Sequence, residues 1–300
     1  MSMDLRKLPA TDLQVSTLGL DLTGELPMHT EAVLHRALHD GVNLVRLPLG
    51  EAGRRARIYL RRVGPDPRAS LVVVGVLPQG LVDEAPTMVA QAHQELSMTY
   101  RLLLEVRPPD LLPARSAPLP ALESTAAAAH SWIGVRIDPP LIGPGFEGRA
   151  DFVSVPHSVW APAIRPSPAS GFGAASVGIL ALDPWAGLTG LPDPLGILRL
   201  NPTGSPGPAP ISRLREEARP LTDCVELVRL EGRPLPEIAV RFALDTPGVS
   251  AVLLPLPTPE LWLKARHAAE SAPLSSRGQE WILHHGSWPR DGPSPEGEQW

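Results

Sequence analysis

Eight short apolar runs recur along the chain, and most are separated by stretches patterned as helices. They are Thr17–Leu22, Val42–Leu47, Leu71–Val76, Arg101–Val106, Trp132–Ile137, Phe152–Val155, Val177–Leu182 and Val249–Leu254. Runs this short and this continuously apolar suit strands buried on both faces. Strands that alternate with helices pair in parallel, and eight of them close into a barrel. The expected fold class is therefore α/β: a single (β/α)8 TIM barrel over residues 1–286, entered through an N-terminal hairpin. Any site then lies at the carboxyl ends of the strands.

The helical patterns agree. Thr30–His39 directs Val33, Leu34, Ala37 and Leu38 to one side and closes at Gly41. Gly50–Val63 carries a row of arginines read as a solvated face, Val82–Met98 is a third helix, and Leu119–His130 is alanine-rich. Two connections differ. DPPLIGPGFEGRA follows the fifth strand and HSVWAPAIRPSPASGFGAAS the sixth. Proline removes donors and clashes with the preceding turn, so the helices after strands five and six are expected to be shortened or absent. Residues 287–300 are expected to form a disordered tail.

Composition narrows the function classes. With 43 % hydrophobic and 20 % charged residues, the chain has the balance of a soluble globular protein. Its net charge of −5 comes without a basic block, so neither nucleic acid nor an anionic membrane is an expected partner. The N-terminus, MSMDLRKLPATD, lacks the apolar core of a signal peptide, and no run reaches the length of a membrane span. A cytoplasmic location is expected. The single cysteine, Cys224, reads as a small buried apolar residue. His284 and His285 are adjacent, so they do not share a helix face, and no metal site is expected.

The stretch Glu237–Glu260, EIAVRFALDTPGVSAVLLPLPTPE, combines a helix, a break at Asp245–Gly248, a buried strand and a new helix capped by Thr258. It resembles the last helix, last strand and cofactor-phosphate turn of the aldo-keto reductases, and the resemblance extends over nearly the whole chain. It implies a barrel that moves hydride from NADPH to a carbonyl. In that family a tyrosine acts as general acid, tuned by a lysine, an aspartate and a histidine at neighbouring strand ends.

The matching positions have changed. Gly41-Val42-Asn43-Leu44-Val45 leads to Arg46 where the aspartate is expected, and Leu49 before Gly50 takes the tyrosine position. Val76 stands for the lysine, and Arg107, before Pro108-Pro109-Asp110, for the histidine. Leucine has no proton to give. The cofactor positions have changed too: Arg136 and Ile137 for Ser-Asn after strand five, Ser154 for glutamine, Leu182 for the stacking aromatic and Asp183 for the pyrophosphate serine. After strand eight, Gly-x-Arg becomes Pro255-Leu256-Pro257, which removes backbone donors and the arginine. Asp21 stands where members of the family usually have glycine. No cofactor is expected, and NADPH binding is read as lost.

Three readings follow. The first is a catalytically inactive, aldo-keto reductase-like pseudoenzyme acting as a binding, regulatory or assembly component. Its expected partner is another protein, met near Trp132, Trp160 and Trp185, because tryptophan is enriched at interface hot spots; the alternative is burial of all three under irregular loops. The second is a repurposed barrel enzyme acting on an anionic small molecule without NADPH. Its candidate pocket is Arg46, Glu105, Arg107, Arg136 and Asp183, with Glu105 on the same face as Arg107. The same five residues could equally form a closed ionic plug. The third, an NADPH-dependent oxidoreductase, has the least support from these residues.

Overall fold

A computed structural model describes residues 3–63, 71–96, 100–107, 123–126, 131–137, 150–164, 177–186 and 225–285. The chain opens with an antiparallel hairpin, β1 (Leu5–Lys7) and β2 (Gln14–Ser16). The barrel strands follow: β3 (Leu18–Asp21), β4 (Leu44–Pro48), β5 (Leu71–Val76), β6 (Tyr100–Val106), β7 (Trp132–Arg136), β8 (Phe152–Pro156), β9 (Gly178–Leu182) and β10 (Val249–Pro255). They close in the order β10-β3-β4-β5-β6-β7-β8-β9, and every neighbouring pair is parallel. All eight fall on the apolar runs of the sequence.

Outside the barrel lie α1 (Thr30–His39), α2 (Arg54–Val63), α3 (Ala85–Leu96), α4 (Leu235–Asp245), α5 (Pro259–Glu270) and α6 (Ser276–His285). Residues 123–126 are helical, inside the Leu119–His130 stretch. The links expected to lack helices fall largely on residues 138–149 and 165–176, outside the described residues, as do Cys224 and the tail 287–300.

Alternation along each strand divides the core in two. Val45, Leu47, Val73, Leu104, Val135, Val153, Ala181 and Val252 face the helices and join the larger outer cluster. Leu44, Val72, Val74, Leu103, Phe152, Leu180, Ala251 and Leu253 fill the barrel interior. Leu8, Leu13 and Val15 of the hairpin join that inner cluster and close the bottom of the barrel. Phe152 gets its room from Gly134 on the neighbouring strand, where a Cβ would come within 2.1 Å of the ring.

Buried charges tie the outer layer. Asp40, after α1, accepts from the Trp262 indole at 2.9 Å and pairs with Arg36 and Arg266. Burial opposes its charge, but these donors prevail and hold the carboxyl below its ordinary value. The arginines of α2 are not all on a solvated face. Arg57 is fully buried, pairs with Glu95 at 2.6 Å, and donates to the carbonyls of Pro48 and Gly50. It thereby anchors the turn that leaves the mouth end of β4.

Candidate functional site

Inward alternation carries Asp21, Arg46, Glu105 and Ser154 to the layer above the apolar interior. Arg46 and Glu105 form a bidentate pair, Nε to Oε2 at 2.9 Å and Nη2 to Oε1 at 2.5 Å. The third Arg46 nitrogen, Nη1, donates to Asp21 at 2.7 Å and to the Thr23 hydroxyl at 3.1 Å. Ser154 donates to Glu105 Oε2 at 2.6 Å. The second Asp21 oxygen is taken by the Thr23 amide and hydroxyl. Arg46, Glu105 and Ser154 are buried. Burial opposes the charge on Arg46, but Glu105 and then Asp21 outweigh it, so its pKa is raised. A two-carboxylate clasp thus fixes one guanidinium by geometry as well as charge.

Asp21 and Thr23 were not among the candidate pocket residues. The signal was the replacement of glycine by Asp21, because a carboxylate beside a strand-end arginine provides a pairing partner. Register explains the contact: Asp21 is the β3 neighbour of Arg46 on β4.

A cavity of about 350 Å³ lies above this floor, lined by Asp21, Thr23, Gly24, Glu25, Arg136, Pro156, Leu182, Asp183, Pro255 and Leu256. Asp183 follows β9 with φ +47°, a left-handed conformation uncommon outside glycine, asparagine and aspartate. Its amide donates to the Leu253 carbonyl at 3.2 Å. Among the described residues, no side-chain hydrogen bond reaches its carboxylate. Its pKa is raised, first by burial and then by the charge of Asp21, with Arg136 pulling the other way.

The remaining candidates fall in different places. Arg107 is exposed and outside the cavity lining. Val76 ends β5 beside Glu105 in register. Leu49 is fully buried in the outer cluster, against Gly75, so it does not face the cavity. Ile137 is buried in the same outer cluster, Leu182 lines the cavity wall, and Pro257 is buried outside the lining. Trp160 and Trp185 are core residues, 7 % and 3 % exposed, and the Trp185 indole donates to the Pro236 carbonyl. Trp132 is partly buried against the inner cluster. Burial of Trp160 and Trp185 agrees with the alternative given for them.

His157, just after β8, is buried. It shares a hydrogen bond with Thr246, accepts from the Ile164 amide, and stacks on Phe242. Burial drives its pKa down to about 3, so it stands neutral as a structural tie.

This barrel has the fold of the aldo-keto reductase structures. Two of them are aldo-keto reductase AKR11C1 from Bacillus halodurans, in apo and holo forms, and glycerol dehydrogenase AKR11B4 from Gluconobacter oxydans. The AKR11C1 forms match with TM-scores of 0.66 and 0.67 at 18 % and 17 % identity, covering 96 % of this chain and 99 % of theirs. AKR11B4 matches with a TM-score of 0.66 at 15 % identity, covering 95 % of each chain. No protein-family model matches the chain, and no curated protein matches it. Similarity at this level establishes the fold, and the chemistry has to be read from the side chains.

Proposed function

We propose that this protein is a non-catalytic member of the aldo-keto reductase lineage, a barrel that works by binding instead of by hydride transfer. One observation carries the reading. The arginine at the position of the family aspartate is fully engaged by Glu105 and Asp21, so the floor of the mouth is a closed ionic clasp. A general acid tuned by a neighbouring cation needs a proton donor facing the substrate. Among the described residues, the two tyrosines lie elsewhere: Tyr59 in α2, and Tyr100 at the start of β6, the opposite end of the barrel.

The mouth also does not fit the nicotinamide dinucleotide that the fold family implies. Its phosphates would meet the Asp183 carboxylate in a partly desolvated wall, where like charges repel strongly. Pro255 supplies no amide donor at the rim. A protein partner would have to dock elsewhere than on the buried Trp160 and Trp185.

The decisive experiment follows NADPH fluorescence and consumption with the purified protein over a panel of aldehydes and ketones. The expected outcome is no saturable fluorescence change and no turnover above the buffer rate. Steady consumption that disappears in Asp183→Arg or Arg46→Ala would replace this reading with that of a reductase.

A further inference from the structure

The clasp consumes Arg46 but leaves the space above it open. We propose that this cavity binds a small organic cation, a primary amine on a compact apolar body, with Asp183 as its counter-ion. The inference rests on the reading that the mouth no longer serves a dinucleotide, and it goes further by naming a ligand class.

The size is right for a small ligand and too small for an extended one: about 350 Å³ sits at the lower end of ligand pockets. The wall supplies an apolar surface from Pro156, Leu182, Pro255 and Leu256. The charged lining consists of three carboxylates, on Asp21, Glu25 and Asp183, against one guanidinium, on Arg136. These are not equivalent. Both oxygens of Asp21 are occupied by Arg46 and Thr23. Glu25 is exposed at the rim.

Asp183 alone combines partial burial with a carboxylate that no described side chain hydrogen-bonds, and the Asp21 charge stands near enough to oppose its ionisation. An ammonium group would bring three donors to this carboxylate and add to the charge that Arg136 already sets against it. An anion would meet the opposite field. Arg46 cannot turn towards it without uncovering Glu105, and Arg107 lies outside the wall. The anionic-substrate alternative therefore loses the arginines it relied on, except Arg136, which stands in the field of Asp183.

The test uses three probes of one shape: benzylamine, benzyl alcohol and benzoate, with inorganic phosphate as a second anion. Each is titrated into the full-length protein at neutral pH by thermal shift and calorimetry. Benzylamine should give a saturable rise in Tm, while the alcohol and both anions give none. Asp183→Asn keeps the side-chain shape and tolerates the left-handed backbone. It should weaken benzylamine binding by about tenfold or more. Leu256→Trp, which fills the cavity from its rim, should abolish binding without touching a charge.

No response to benzylamine, an equal response in Asp183→Asn, or a larger response to benzoate or phosphate would each overturn the proposal. Parallel titration with NADPH separates the two readings. Absence of both signals sinks the amine site alone, whereas NADPH binding with steady consumption in the presence of a carbonyl sinks the non-catalytic reading.

Discussion

A buried guanidinium with all three nitrogens engaged can be tested one atom group at a time. Removing one partner of a buried ion pair leaves the other uncompensated, whereas removing both is far less costly. Glu105→Ala should therefore lose about 3–5 kcal/mol in chemical denaturation, and adding Arg46→Met should recover much of that loss. Additive losses in the double mutant would mean that the pair is not coupled. Asp183 acts in the opposite sense. Its folded pKa is raised, so the native state holds its proton more tightly than the unfolded chain does, and stability falls as pH rises above the ordinary aspartate value. Asp183→Asn should stabilise the protein at pH 7, with the gain fading below about pH 4. His157 is depressed to about 3, so its contribution is complete above about pH 6.5 and declines as pH falls towards 3. Melting curves across that window should lose part of their acid slope in His157→Gln; an unchanged slope would place the lost stability in other groups.

The strands show how far patterning alone reaches. Every barrel strand is visible as an apolar run because burial on both faces leaves few polar positions, such as Arg46, Glu105 and Ser154, to interrupt it. The inward face of each strand follows from alternation, which put Glu105 on the face of Arg107, while the family resemblance put Arg46 and Arg107 in one mouth. What alternation does not give is height along the barrel axis or the shape of a turn. Leu49 lies one residue beyond β4, and there the chain has already turned outward under Gly75. Asp21 was noticed as a departure from glycine but not as a partner, because cross-strand register is invisible in one dimension. Packing at Gly134 gives a sharp element-scale test. Gly134→Ala drives a methyl into the Phe152 ring from the adjacent strand, and such overpacking costs about 1–3 kcal/mol or more. The paired change Gly134→Ala/Phe152→Leu should recover part of that loss in the same denaturation assay.

At the scale of the whole molecule, the barrel separates stability from chemistry. The hairpin plugs the bottom and the helices wrap the outside, so the cavity lining above the clasp can change with little effect on the apolar core. This is the general behaviour of a fold that hosts many chemistries at one end. Among the described residues no helix is long and apolar enough to cross a membrane.

The Arg46 clasp joins side chains from β3, β4, β6 and β8, including strands that are not neighbours in the sheet. A link of that kind acts across the barrel as a spoke does across a wheel rim. Parting any of those strands from the clasp would uncover a charge or a hydroxyl in an apolar interior, so small local openings there are suppressed. In native-state hydrogen exchange, the amides of β3, β4, β6 and β8 should exchange through one shared, near-global event. Glu105→Ala should split that event, giving each strand its own faster rate.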